Sequence, residues 1–491
     1  MVANPWGFLR LARADAPKRP VGERLQDWDP VYGRPAPAQI QVQASRCMDC
    51  GVAFCHAGCP LGNLIPEWNE LVVDDDWRAA VERLHATNNF PEFTGWLCPA
   101  PCEASCVLAI NAEPVAIKQV ELGIIDRAWD EGWVDTRLPA APTGRRVAVV
   151  GSGPAGLACA QQLTRAGHNV VVYERDDRLG GLLRYGIPDF KMPKTLIDRR
   201  LTQMAAEGTD FRAGVEIGGS AGLDPIQVRA GVDALVLATG ALEPRELDLP
   251  GRELAGVHQA MDYLPLANRV RVGDLAVTPV DAAGKRVVII GGGDTAADCL
   301  GTANRQGAVS VTQLDHNPRP PEARDVTANP WPQWPKVHRT SPAHEEGVVE
   351  SWAKEAVAFL GDDSGRVRAV LADDVQIIRM DGRRVFRPVP DSHTEIPCDL
   401  VLIAAGFLGT ERGSLLDQLG VGADAERGSM RVRSGWETTA DGIFACGDAT
   451  RGASLVVWAI AEGRACAAAV DTALSGRTEL PAPVSPGARP L

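Results

Sequence analysis

The chain has 491 residues, more than one hydrophobic core can organise, and 45% of them are hydrophobic, so two to four globular domains are expected. A formal charge of −13 argues against general nucleic-acid binding, which needs a basic surface. No run of about 18 apolar residues is present to span a bilayer, and the start, MVANPWGFLRLARADAPKRP, lacks a secretory apolar stretch, so no membrane partner and a cytoplasmic location are expected.

Residues 1–140 lack strand alternation and read as helical and irregular, with helix-compatible spacing over 76–84 and 119–129. Seven of the 12 cysteines fall here, as Cys47-x2-Cys50-x4-Cys55-x3-Cys59-Pro60 and Cys98-x3-Cys102-x3-Cys106. Without export, clustered cysteines are more readily metal ligands than disulfides, and thiolates suit zinc or iron–sulfur clusters. Seven cysteines leave two four-ligand sites one ligand short. A run closing on Cys-Pro is of the ferredoxin type, in which the last cysteine serves the other cluster. The four residues between Cys50 and Cys55 depart from that type, which has two. Iron–sulfur is preferred over zinc. The other five, Cys159, Cys299, Cys398, Cys446 and Cys466, stand in apolar surroundings and are expected to be buried small hydrophobes.

Residues 135–144 (DTRLPAAPTG) are Pro-rich and polar, as a linker would be. The next stretch is RVAVVGSGPAGLACAQQLTRAGHNVVVYE, from Arg146 to Glu174. It predicts a buried strand, a glycine turn through Gly151, Gly153 and Gly156, a helix, and a second strand ending on an acid. Gly151 permits the tight turn, Gly153 lets backbone approach a pyrophosphate, and Gly156 lets helix pack on strand. The helix N-terminus faces the anion, and Glu174 can accept hydrogen bonds from a ribose diol. Gly180-Gly181-Leu182 and 185–191 (YGIPDFK) read as loops, and 233–239 as a buried strand.

The pattern then returns at Gly291, 140 residues after Gly151, as Gly291-Gly292-Gly293-Asp294-Thr295-Ala296 between a strand and a helix, with another strand at 309–314. A domain-scale duplication of one binding unit implies two dinucleotides, and the reason to bring them together is hydride transfer between flavin and nicotinamide. Residues 329–335 (NPWPQWP) read as a rigid loop and 345–360 as a helix with a solvated start at His344, Glu345 and Glu346. Residues 399–405 and 442–446 read as strands, 454–470 as a helix, and the Pro-rich tail from Gly476 as disordered.

The cysteine pattern, the two dinucleotide units, YGIPDFKMPK and GIFACGDATRGASLVVWAIAEGR together resemble the small (beta) subunits of NAD(P)H-dependent glutamate synthases over nearly the whole chain. The wider family shares this module with the electron-entry part of dihydropyrimidine dehydrogenase and related flavoprotein reductases. The resemblance implies an α/β chain: an N-terminal α-helical double iron–sulfur domain, then two Rossmann-like dinucleotide-binding domains of the glutathione- and thioredoxin-reductase type. The expected division is 1–140 for the iron–sulfur domain, 145–275 with 425–475 for FAD, 280–420 for NAD(P)H, and 476–491 for the tail. By the same resemblance two 4Fe-4S clusters are expected, one on Cys47, Cys50, Cys55 and Cys106, the other on Cys59, Cys98, Cys102 and Glu121. FAD is expected on Gly151, Ser152, Gly153, Pro154, Ala155, Gly156, Glu174, Arg175, Gly181, Leu182, Gly447, Asp448, Ser454, Leu455 and Val456, with Lys191 near its ring. NADPH or NADH is expected on Gly291–Ala296, Asp315, Arg319, Arg324, Ala405 and Gly406. Asp315 favours a free ribose 2′-hydroxyl, whereas Arg319 or Arg324 folding back would favour a 2′-phosphate, so the coenzyme stays open.

The implied function is oxidation of NAD(P)H at FAD and passage of single electrons through the clusters. The implied partner is a large (alpha) subunit that makes glutamate from glutamine and 2-oxoglutarate, in a hetero-oligomer. Other readings are a sibling electron-entry subunit for pyrimidine reduction or ferredoxin–NADP exchange, and a zinc-stapled scaffold. A disulfide reductase is disfavoured, because Cys299 stands alone after the second glycine turn.

Overall fold

The computed structural model describes residues 6–380 and 383–489; positions 1–5 of the expected leaderless start and 490–491 of the tail lie outside them. The N-terminal region is a packet of helices, chiefly Pro37–Ala44, Ile65–Val73, Trp77–Thr87, Pro91–Leu97 and Ile117–Asp130. Proline opens Pro37–Ala44 and Pro91–Leu97, where its missing N–H costs nothing. The Asp76 carboxylate caps Trp77–Thr87 by accepting from the Ala79 N–H at 3.1 Å. Both expected helices are present, and their apolar faces close over Trp68, Val72, Leu84, Val120 and Ile124, all fully buried. Among the described residues no helix is long and apolar enough to cross a membrane.

The first dinucleotide unit is built on a parallel sheet of strands β1 (Arg146–Val150), β2 (Asn169–Glu174), β3 (Asp210–Ala213) and β4 (Ala234–Leu237), in the order β4-β1-β2-β3. A later strand, Ile443–Ala445, extends the β4 edge in parallel register. The central strands β1 and β4 carry continuous Val/Ala/Leu runs because both faces are covered, whereas the edge strand β3 is largely exposed. On one face the helices Pro154–Arg165 and Val456–Ser475 cross so closely that a Cβ at Gly463 would collide with the Ala155 carbonyl.

A two-residue strand β5 (Glu243–Pro244) leads into β6 (Val257–Gln259), and β7 (Arg286–Ile290), β8 (Ser310–Asp315) and β9 (Val349–Trp352) follow. Four antiparallel strands come next: β10 (Lys354–Gly361), β11 (Val367–Met380), β12 (Arg383–Pro388) and β13 (Thr394–Pro397), with β11 pairing the other three. The chain continues through β14 (Leu400–Ile403), β15 (Phe407–Gly409) and β16, the Ile443–Ala445 strand above. The second parallel sheet has the order β6-β14-β7-β8-β9.

Three expectations are corrected. The boundaries near 275 and 425 do not follow the sheets. β6 and the helix Ala260–Arg271 already belong to the second unit, and the helix Ser414–Leu419 packs on the first. The two crossings lie side by side as an antiparallel ribbon, β5 against β15, too short to show as periodicity. The stretch 345–360 is a short 3-10 turn followed by β9 and β10, broken by Gly347 and Ala353 at positive φ. Its start is solvated only at Glu345, which is exposed; Glu346 is buried and pairs with Arg305 at 2.5 Å, and His344 is half-buried within 3.1 Å of Gln313 Oε1. The expected disorder of the tail does not hold for its described part, through residue 489: Leu480 and Val484 pack on the first unit's core, and the Ala488 carbonyl accepts from Arg451 at 2.8 Å.

Candidate functional site

The seven clustered cysteines are gathered by a crossing of two irregular segments. Gly58 lies against Ser105, where a Cβ would stand 2.5 Å from Ser105 Oγ, and this contact brings the 47–59 stretch onto the 98–106 stretch. Cys47, Cys50, Cys55 and Cys106 line one small cavity, walled also by Ile65 and Ile117. Burial pushes Cys47 up to about 11 and Cys55 up to about 12, and each is pushed further by its cysteine neighbours. Cys59, Cys98 and Cys102 form a second, deeper group with Glu121; burial raises all three thiols, the Glu121 charge raises each further, and Cys59 also raises Cys98 and Cys102. The Ala100 N–H donates to Cys98 Sγ at 3.4 Å. Among the described residues no three His, Cys, Asp or Glu side chains converge tightly enough to hold a single metal ion.

Burial moves the Glu121 carboxyl up to about 7, against hydrogen bonds to Oε1 from Thr94 Oγ1 at 2.8 Å and Asn88 Nδ2 at 2.9 Å. A cationic centre inverts this tendency for thiols and carboxyl alike, so both groups have the donors and the lost solvation that a metal cluster compensates. Cys59 and Cys98 also belong to the apolar core of the first dinucleotide unit, together with Leu157 and Val147. The second cysteine group therefore shares a dry interior with that unit.

At the first glycine turn, Gly151 has φ 104° and approaches Ala238 so closely that a Cβ would collide with its carbonyl. A Cβ at Gly156 would collide with the Gly151 carbonyl, whereas Gly153 faces open space. This is a cradle shaped by main chain at the reversal of strand order between β1 and β4. Glu174 is buried and accepts from Ser152 N at 3.1 Å and from Ser152 Oγ at 2.5 Å. Gly181, with φ 53°, lies over Gly153 and starts the short helix Leu182–Tyr185. Asp448 is raised by burial and accepts from Ser454 Oγ at 2.5 Å, just before Leu455 and Val456 begin the long helix. Arg175 points outward to Glu411 at 2.6 Å and is the expected FAD residue least engaged in the cradle.

The second turn repeats the geometry. Gly291 has φ 132°, and its Cβ would collide with the Ala404 carbonyl, beside Ala405 and Gly406 at the end of β14. Gly293 faces open space, and Asp294, Thr295 and the buried Ala296 open the helix Asp294–Gln306. Asp315 ends β8 with its Oδ2 directly over Gly292. Arg319 pairs with Glu322 at 2.6 Å, and Arg324 donates to the Gln333 carbonyl at 2.8 Å, so neither folds back on Asp315.

Lys191 bridges the units: its ammonium pairs with Asp298 on the second unit's helix, while Phe190 fills the slot at Gly301 and Arg305 stacks 3.9 Å from the Phe190 ring centroid. A cleft of about 1470 Å³ runs from Trp96 and Pro99, beside the second cysteine group, to Ile187, Lys191 and Asp294. Cys159, Cys299, Cys398, Cys446 and Cys466 are fully buried, as expected.

Sequence reasoning missed the residues that hold the site. Asn88 and Thr94 orient Glu121, Glu462 accepts from the Gly447 N–H at 3.0 Å, and Asn317 clasps Asp315. Only Glu462 left a signal, as one of three charges, with Arg464 and Asp471, inside a mostly apolar helix.

A profile for pyridine nucleotide-disulphide oxidoreductases matches residues 145–463, and one described as dihydropyrimidine dehydrogenase domain II, 4Fe-4S cluster, matches residues 24–133. The "Glutamate synthase [NADPH] small chain" of Mycobacterium tuberculosis is 57% identical over all of both chains. That of Bacillus subtilis is 43% identical over 98% of this chain and all of its own. The "Glutamate synthase [NADH]" of Schizosaccharomyces pombe is 43% identical over 97% of this chain but 23% of its own length. Among solved structures, FprA from Mycobacterium tuberculosis matches with a TM-score of 0.55 at 19% identity, over 68% of this chain and 85% of that one.

Proposed function

The chain belongs to the family of glutamate synthase small chains, and from that premise we propose that it takes electrons from a reduced nicotinamide coenzyme and hands them to a large subunit that makes glutamate from glutamine and 2-oxoglutarate. Membership makes it an oxidoreductase that carries a 4Fe-4S domain and a pyridine-nucleotide oxidoreductase domain. In this reading FAD sits at the Gly151 turn with its ribose on Glu174, the coenzyme sits at the Gly291 turn, and two clusters occupy the cysteine groups, Glu121 completing the second. When bound, the coenzyme supplies a hydride, the flavin accepts the pair, and the clusters carry single electrons onward.

The chain's own residues hold and insulate. The main-chain cradles at Gly151 and Gly291 leave room for pyrophosphates at the N-termini of the helices Pro154–Arg165 and Asp294–Gln306. Lys191, Phe190 and Arg305 clasp the two units across the cleft. Helix Val456–Ser475 directs its positive end toward the flavin cradle, favouring negative charge on the reduced form. One observation carries the reading: Cys59 and Cys98 lie in the same buried apolar core as the first glycine-turn helix, so the second cysteine group and that helix share one continuous dry interior.

The test is anaerobic addition of NADPH to the fully loaded protein without any partner. The flavin and iron–sulfur absorbance should bleach together, and glutamate formation should appear only when the large subunit is added. Flavin bleaching with the iron–sulfur signal unchanged would refute the electron path.

A further inference from the structure

Asp315 closes β8 at the place where a Rossmann unit binds the adenosine ribose, and its surroundings contain a cation that sequence reasoning did not single out. Asn317 clasps the Asp315 carboxylate, donating its main-chain N–H at 2.8 Å and its Nδ2 at 2.9 Å to Oδ1. The outer end of the Asn317 amide accepts from Arg384 Nη2 at 3.3 Å. Arg384 arrives on β12, the strand that returns after β11, and not from the glycine-turn unit itself. On the same strand Phe386 meets the His316 ring edge-on, with centroids 4.5 Å apart, which fixes the strand against the end of β8.

The Arg384 guanidinium is exposed and makes no carboxylate ion pair among the described residues. Arg319 is committed elsewhere, to Glu322, and Arg324 to main-chain carbonyls. An unpaired guanidinium with several free donors, beside a ribose-binding acid, matches the fork geometry that a phosphate accepts. We propose that Arg384 is a specificity-determining residue that receives the 2′-phosphate of NADPH, offsetting the repulsion from Asp315. This rests on the reading of the Gly291 turn as the coenzyme site.

The test compares kcat/KM for NADPH and NADH in the holoprotein and its Arg384→Gln, Arg319→Gln and Asp315→Ser variants, with calorimetric binding of 2′,5′-ADP and 5′-AMP alongside. Loss of a charge-assisted phosphate contact should lower kcat/KM for NADPH by about 10- to 100-fold, through KM, and weaken 2′,5′-ADP by a similar factor. NADH and 5′-AMP should stay within about twofold, and Arg319→Gln should show no such selectivity. Equal losses for both coenzymes, unchanged 2′,5′-ADP affinity in Arg384→Gln, or a selective loss in Arg319→Gln would each overturn the assignment. If Asp315→Ser shifts the coenzyme ratio and Arg384→Gln does not, the assignment alone fails. If neither variant changes either coenzyme, the coenzyme site itself is misplaced and the assignment falls with it.

Discussion

Replacing Arg200 by methionine should loosen the iron–sulfur packet from the first dinucleotide unit. Arg200, on the helix Thr195–Glu207, is buried and grips Glu92 of the helix Pro91–Leu97 with two bonds of 2.7 and 2.9 Å; Glu92 is 0% exposed. A third bond, 3.3 Å to Gln203 Oε1, and the Trp129 ring, with its centroid 4.9 Å away, complete its surroundings. Methionine keeps much of the volume but strands a buried carboxylate, a change that costs about 3–5 kcal/mol. A loss of about 4 kcal/mol multiplies the open population by about a thousand. Amide exchange in peptides covering Pro91–Leu97 reads that population directly when closing outruns exchange. The double variant Glu92→Leu/Arg200→Met removes the stranded charge and should recover most of the loss, because an apolar pair replaces a buried ion pair at little cost. Exchange in Arg200→Met within about threefold of wild type, or a double variant as labile as the single, would refute the reasoning.

Gly156→Val places side-chain atoms on the Gly151 carbonyl, which is backbone and has nowhere to go, so the purified protein should lose its flavin absorbance; retained stoichiometric flavin would count against the cradle. Cys50→Ser and Cys98→Ser should each remove the iron of one group and leave the other's electron paramagnetic resonance signal, and metal analysis finding zinc without iron would sink both assignments. Burial raises the Glu462 carboxyl to about 7, against Arg451. The folded state therefore binds this proton more tightly than the unfolded chain, and the stability gained is full below the ordinary glutamate range and lost as pH rises through about 7. The thermal midpoint should fall from pH 5.5 to 8, and Glu462→Gln, which can still accept from the Gly447 N–H, should flatten that slope by about 1–3 kcal/mol. An unchanged slope in the variant would show that another group titrates.

Both glycine turns, their flanking strands and the two cysteine runs are legible in the order of the amino acids, because each depends on neighbours in sequence. A buried parallel strand must be an apolar run, a main-chain cradle needs glycine where a Cβ would strike a carbonyl, and ferredoxin-type ligands come at short fixed intervals. The helix expected over 345–360 fails for the opposite reason. Its charges and apolar residues fit helical spacing, but pairing β9 to β8 and β10 to β11 overrides that local preference. The tail reads as disordered by composition, yet Leu480 and Val484 find an apolar surface to cover.

What sequence alone determined is therefore the chemistry carried by short-range patterns: two glycine-turn cradles and a cysteine-rich domain of the 4Fe-4S type. Tertiary structure decided how the pieces meet. It grouped the cysteines by crossing Gly58 over Ser105, tied the packet down through Arg200 and Glu92, and brought Arg384 across from β12 to the end of β8. Such contacts join residues tens to hundreds of positions apart, and nothing in local spacing encodes which distant side chain a folded surface will bring alongside.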